Sequence, residues 1–364
     1  MDIAQLRVCG QRIDGEKFQR PEEVVRWLGA LQAQDYRQAL WAIGLRTQKA
    51  TVTDIEQAIA ERKILRTWPQ RGTIHFVPAE DAGWMLQLTA QRVLAADKRR
   101  QEQLELDAAI LARSKELFLH GLQGGKRLTR SAMMKLLEDA GISTRGQRGY
   151  HLLWYMAQSG LICFGPIEEK EQTFVLLNEW VPARRELSRE EALAVLAERY
   201  FVSRGPATVR DFAWWTGLTL TEARQGLEAI KAGLIREKIS EQEYWMARDT
   251  LSQNANAASI IHLLPGFDEY LLGYRDRSAV LAAEYAQRIV PGNNGIFQPA
   301  VVVAGQIVGT WRRRAQKKTN EVLFQPFTLL QVKDEEISKV VKRYCDFLGL
   351  PCSSVVMQAS NEVS

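Results

Sequence analysis

Histidine and cysteine are scarce in this chain and never come together. The 364 residues include four of each: His75, His120, His151 and His262, and Cys9, Cys163, Cys345 and Cys352. No CxxC pair occurs, and a protein zinc site draws its ligands at short spacings. The scarcity excludes a zinc finger and a disulfide-built secreted module. It predicts buried free thiols in a reducing compartment. Long apolar runs are missing too: no stretch reaches the roughly 18 residues that a bilayer span needs. The opening Met1-Asp2-Ile3-Ala4-Gln5 lacks the basic-then-apolar order of an export signal. These absences predict a cytoplasmic protein with no metal, no other cofactor and no membrane partner. Nothing in the pattern marks a dimerisation helix, so a monomer is expected.

What is present fits a globular protein. Hydrophobic residues are 46% and charged residues 25%, enough apolar content for a sizeable core. The length predicts two to four domains. The net charge of +5 permits a polyanionic partner without requiring one, so the placement of the charge matters more than its sum.

One unit of pattern recurs. Asp107 to His120 has a helical apolar face of Ile110, Leu111, Leu117 and Phe118, and Gly124-Gly125 ends it. Thr129 caps a second helix through Ala132, Met133, Leu136 and Leu137. A third runs from Gln147 to Gln158. Gly160-Leu161-Ile162 leads into a strand, and Thr173 to Leu177 returns as its partner. Three helices and a hairpin is the winged-helix order. The order recurs with Arg189 to Tyr200, Val209 to Thr216 capped by Thr208, Glu222 to Ala232, and a hairpin over Glu237 to Ala247. A looser copy occupies the N-terminus. It has a helix from Pro21, another from Arg37 to Leu45, a third capped by Thr53-Asp54 and running to Ile64, and strands over Leu65 to Pro78.

Beyond Leu251 the pattern turns to β: Ile260 to Leu264, Ala300 to Val303, Ile307 to Trp311 and Val322 to Phe324, followed by a helix from Asp334 to Leu348 and a frayed tail from Gln358. The expected class is mainly α with β hairpins (α+β). Three tandem winged-helix units would occupy 1–100, 101–183 and 184–250, and a small β-rich domain 251–364.

Basic charge concentrates at Arg312-Arg313-Arg314 and Lys317-Lys318, expected in a turn of the last domain and suited to phosphate contact. A solvated turn that guards a sheet edge is the blander reading. Arg145 and Arg148 open the third helix of the middle unit, where a recognition helix would meet DNA. The middle wing, by contrast, carries Glu168, Glu169 and Glu171 against Lys170. Acidic groups near phosphate repel, so these units read as scaffold rather than as separate groove readers.

Gln32-Ala33-Gln34 follows the apolar helix Val24 to Leu31. On a helix, positions i and i+2 are roughly 200° apart and cannot meet one target. In an extended segment they share a side. Two glutamine amides there can hold a water and turn carbonyl oxygens toward a developing positive centre, but neither is a base. Asp35 is a carboxylate in reach as a base, and equally a cap for the next helix, which is the favoured reading.

Three stretches carry a resemblance: Leu31-Gln32-Ala33-Gln34, Arg66-Thr67-Trp68-Pro69-Gln70-Arg71-Gly72-Thr73-Ile74-His75, and Leu263 to Arg277 with Gly309-Thr310-Trp311 in support. The chain resembles the bacterial winged-helix DNA glycosylases of the AlkZ and YcaQ group. Its Gln-x-Gln form is more similar to the azinomycin-resistance branch than to the YcaQ branch. The resemblance implies hydrolysis of the N-glycosidic bond of N7-alkylguanine in double-stranded DNA, including the unhooking of some interstrand crosslinks, with Gln32 and Gln34 catalytic. It places Arg71 and His75 as contacts to lesion or phosphate, or as struts of the first wing.

The competing readings are a winged-helix DNA-binding protein without catalysis (a regulator or a lesion-shielding factor) and a protein-binding scaffold. The glutamine pair argues against the first, which has no need of it, and the run Arg312 to Lys318 against the second. A chemistry of amides and water predicts that chelation leaves strand cleavage at alkylated sites unchanged. Incubation of damaged duplex with and without EDTA, followed by alkali, measures this.

Overall fold

A computed structural model describes residues 1–239, 241–251, 261–315 and 320–357, the last six by backbone alone. Along them, three helices precede a two-stranded hairpin three times. The first set is Pro21–Leu28, Tyr36–Gly44 and Val52–Ala60 with strands Ile64–Gln70 and Thr73–Pro78. The second is Ala108–Leu122, Arg130–Asp139 and Arg148–Gln158 with Ile162–Phe164 and Thr173–Leu176. The third is Arg189–Arg204, Val209–Thr216 and Leu220–Ile230 with Leu234–Ile239 and Gln242–Ala247. Caps set many of these starts. Asp107 accepts the Ile110 N–H at 2.8 Å, Thr129 the Ala132 N–H at 3.2 Å, and Thr219 closes a capping box with Glu222.

The N-terminal set departs most from the sequence pattern. Its first helix stops at Leu28 rather than Leu31, because Gly29 turns the backbone out at φ +73°. Thr51, not Thr53, caps the third helix by accepting the Asp54 N–H, while Asp54 accepts that of Thr51. Ile64 belongs to the following strand.

Contacts group the chain into two compact units. One comprises Met1–Ile55, Ala194–Trp215 and Thr219–Ser364; the other Glu56–Leu193 and Thr216–Leu218. Compaction therefore joins stretches far apart in sequence.

In the second unit, the strands Thr73–Pro78, Ile64–Gln70, Ile162–Phe164, Thr173–Leu176 and Leu128–Thr129 lie side by side in that order. Two hairpins thus fuse into one sheet through the pair Arg66 and Phe164. Trp68 stacks on Phe164 at 4.5 Å, and the Arg66 guanidinium lies 4.5 Å over the same ring. The acidic wing spends part of its charge locally: Arg127 pairs with Glu168 at 2.9 Å, and Glu171 accepts from Ser131.

In the first unit, Ile261–Leu264, Ala300–Val303, Gln306–Ala315, Asn320–Pro326 and Cys352–Met357 form a sheet in that order, antiparallel except for the last pair. The final strand was not expected from the sequence. Its short Val355-Val356-Met357 run carries little signal, and its place is set by pairing with Asn320–Pro326. The expected frayed tail lies outside the described residues. Helix Asp334–Leu348 packs on this unit through an aromatic cluster, with Tyr344 meeting Trp41 at 5.0 Å and Trp311 at 4.8 Å edge-on. The expectation of free thiols fails at Cys345, which is disulfide-bonded; Cys9 and Cys163 are free and buried. A chain without a CxxC pair can still bridge cysteines that are distant in sequence.

Two arginine–carboxylate pairs cross the interior of the first unit. Arg46 grips Asp268 with both terminal nitrogens, at 2.9 and 2.8 Å, and Arg204 meets Glu269 at 2.7 Å. All four side chains are sealed from water. Removing one member of such a pair strands the other charge in a dry interior. Asp268→Ala is expected to lower unfolding free energy by about 3–5 kcal/mol, measured by urea denaturation. A loss below about 1 kcal/mol would place the pair in the solvent-exposed class.

Candidate active site

The glutamine segment is extended where the sequence argument needs it to be. Gly29 releases the chain from its helix, and Leu31–Gln32 is a short strand. Ala33 is fully buried, Gln32 half-buried and Gln34 exposed. With Ala33 turned into the core, its two neighbours face the other way. A cavity of about 570 Å³ lined by Phe18, Trp27 and Arg199, among others, includes neither glutamine.

Both ends of the segment are tied to the stretch 263–269. Upstream, Glu269 Oε1 accepts the Gln32 N–H at 3.0 Å. Downstream, Gln38 Oε1 accepts the Gly266 N–H at 2.9 Å, and Trp41 Nε1 donates to the Leu263 carbonyl at 2.8 Å. Asp268 caps its own short helix by accepting from the Tyr270 amide. The adjacent carboxylates Asp268 and Glu269 are therefore structural: one holds Arg46, the other the glutamine strand.

Around this centre sit three buried tyrosines. Tyr200 donates to the Gly273 carbonyl at 2.6 Å, Tyr274 to that of Arg204 at 2.7 Å, and Tyr270 to that of Gly305 at 2.6 Å. Burial pushes all three phenols up from their ordinary range, so they stay protonated and keep donating.

The other expected site residues are dispersed. Arg312, Arg313 and Arg314 lie within strand Gln306–Ala315 rather than in a turn, because the ladder with Asn320–Pro326 extends through them. Arg312 and Arg314 are exposed and Arg313 half-buried, by strand alternation. Arg313 donates to Asn320 and Arg314 to Glu321, each at 2.6 Å. Lys317 and Lys318 lie outside the described residues. Arg148 is spent on backbone: its guanidinium reaches the carbonyls of Ser143, Leu104 and Glu105. Arg145 is exposed. Arg71 sits half-buried in the hairpin turn at φ +49°. His75 is fully buried, with Nδ1 2.9 Å from the Thr73 carbonyl, which is the strut geometry rather than a surface contact. The turn after Tyr274 is held by Asp211, whose Oδ1 accepts the N–H groups of Arg275 and Asp276. Arg277 lies over Trp214 and Phe297.

Sequence reading missed Arg46, Arg204 and Trp215. Arg204 and Trp215 sit in unremarkable helical runs and Arg46 in the turn after one, and the only signal was the pair of adjacent carboxylates in an otherwise apolar stretch, which demands buried cations. Asp35 caps helix Tyr36–Gly44, accepting the Gln38 N–H at 3.2 Å, as favoured from the sequence. Asp35→Ala is expected to cost about 1 kcal/mol of stability with little change in turnover. Chemical denaturation beside an excision assay separates this cap from a catalytic base, whose removal would stop turnover instead.

A family model described as DNA glycosylase AlkZ-like matches residues 25–347. A curated relative, an interstrand DNA cross-link repair glycosylase from Streptomyces sahachiroi, is 26% identical over 311 residues, covering 79% of this chain and 81% of its own. The solved structure of Streptomyces sahachiroi DNA glycosylase AlkZ shares the fold, with a TM-score of 0.82 over 98% of both chains at 22% identity. The match takes in the glutamine pair and the 263–269 stretch that holds it, so the reading without catalysis gives way: the chain belongs to the AlkZ-like DNA glycosylase family and is a DNA glycosylase.

Proposed function

We propose that this glycosylase hydrolyses the N-glycosidic bond of N7-alkylguanine in double-stranded DNA, and that Gln32 and Gln34 carry the reaction. The observation behind the reading is the extended, anchored Gln-x-Gln segment, with Ala33 in the core and Gln34 open to solvent. The 26%-identical relative named for interstrand cross-link repair supports a bulky or crosslinked lesion.

The chemistry suits amides. An N7-alkylated guanine already carries positive charge and leaves as a neutral base, so the leaving group needs little acid help. The sugar becomes oxocarbenium-like as the bond stretches. Amide carbonyl oxygens stabilise that charge, and the amides orient the attacking water. An exposed site serves a crosslinked base, which cannot swing fully out of both strands, better than a deep pocket does.

On this reading, the three helix-and-hairpin sets are winged-helix units, followed along the chain by the β-rich domain. Arg312 and Arg314 contact the phosphate backbone from its strand. The enzyme works as a monomer, without metal or cofactor, and leaves an abasic site.

A duplex carrying one N7-methylguanine, incubated with enzyme and then treated with alkali, tests this. Strand breaks well above the spontaneous rate are expected. Gln34→Ala should reduce them by about 100-fold while duplex affinity stays nearly unchanged. No breaks above background would reject the substrate assignment, and full activity in the variant would remove the glutamines from the mechanism.

A further inference from the structure

We propose that Glu269 is the positioning residue of the glutamine pair: its carboxylate, held from behind by Arg204 and Trp215, fixes the backbone at Gln32 and so aims both amides. The proposal rests on the reading that Gln32 and Gln34 carry the reaction. It concerns a residue whose carboxylate is fully used inside the protein.

The geometry is a clamp on alternate backbone groups. Arg204 donates to the Leu28 carbonyl at 2.7 Å and to the Ala30 carbonyl at 2.9 Å. The same guanidinium donates to Glu269 Oε2 at 2.7 Å, and Trp215 Nε1 reaches that oxygen at 2.8 Å. Glu269 Oε1 then accepts the Gln32 N–H at 3.0 Å. Residues 28, 30 and 32 are thus held in turn by one ion pair, as a neighbouring strand would hold them in a ladder. Arg204 and Glu269 are sealed from water. In a dry interior these bonds are strong, directional and costly to break.

The carboxylate cannot be replaced by its amide. Two acceptor oxygens meet donors from Gln32, Arg204 and Trp215. A glutamine offers one acceptor and sets its NH₂ against a donor at the other end. Glu269→Gln therefore keeps the volume and releases one side of the clamp. The Arg46–Asp268 pair, whose hydrogen bonds go to Gln11, Ala42, Tyr270 and each other, secures the fold beside it.

A role through the glutamines differs from a merely structural one in its coupling. Single-turnover excision of N7-methylguanine is measured for the wild type, Glu269→Gln, Gln34→Ala and the double variant, with duplex affinity by anisotropy. Glu269→Gln is expected to be slower by about tenfold, with affinity within about twofold. In the Gln34→Ala background, where only the Gln32 amide is left to aim, the same change should cost clearly less. An equal loss in both backgrounds, or none in the first, overturns the proposal. Gln34→Ala as fast as wild type overturns instead the glutamine reading on which it rests, and the two failures are distinct. Should Glu269→Gln fail to fold, Trp215→Phe removes one donor to Oε2 and keeps Arg204. A several-fold loss that shrinks in the Gln34→Ala background supports the role, and an equal loss there overturns it.

Discussion

Asp268 and Glu269 are adjacent carboxylates without access to water, and each is met by an arginine from a distant part of the chain. Burying four charges costs several kcal/mol per ion before pairing offsets it. The arrangement survives because nearly every lone pair and N–H finds a partner. Arg46 also donates to the Gln11 carbonyl and side-chain oxygen and to the Ala42 carbonyl. Gln11 in turn donates to Tyr274, which donates to the Arg204 carbonyl. Such a network contributes less to net stability than an apolar core of equal volume would. What it supplies is position, since each bond has one satisfactory geometry.

The glutamine segment inherits that geometry. Residues 28–32 are fixed by Arg204 and Glu269, and the helix after Asp35 is fixed by Trp41, Gly266 and the aromatic contacts to Tyr344 and Phe347. Between these anchors lies Gln34, exposed to solvent on a backbone gripped from both sides. A reaction with a good leaving group gains from oriented dipoles more than from a tuned acid or base. Around the segment the phenols of Tyr200, Tyr270 and Tyr274, pushed up by burial, act as fixed donors.

The charged surface divides its labour in a similar way. Glu168 and Arg148 meet partners close by, which spends their charge within the fold. Arg312 and Arg314 project from one face of a strand whose other face carries buried Trp311, and Arg314 pairs with Glu321 on the neighbouring strand. An array on a strand has fixed spacing, whereas charges on a turn have little, and spacing is what matching to a phosphate backbone requires.

The sequence by itself determined much of the local structure. Thr129, Thr208 and Asp35 stood where capping chemistry puts them, and helix starts followed. Apolar periodicity set helix Asp334–Leu348 and the hairpins of the second and third sets. The Gln-x-Gln pair was visible, as was the condition that it lie outside a helix. These features depend on a few neighbouring residues, so a linear reading holds them. Tertiary structure decided the rest. It made two hairpins one sheet, put Arg312 to Arg314 in a strand, added the strand Cys352–Met357, buried His75 and joined Glu269 to Gln32 across 237 positions. A buried charge must be paired, but the chain does not say with what until folding brings the partner near. The residues proposed to act were legible, and the residue proposed to aim them was brought to them only by the fold.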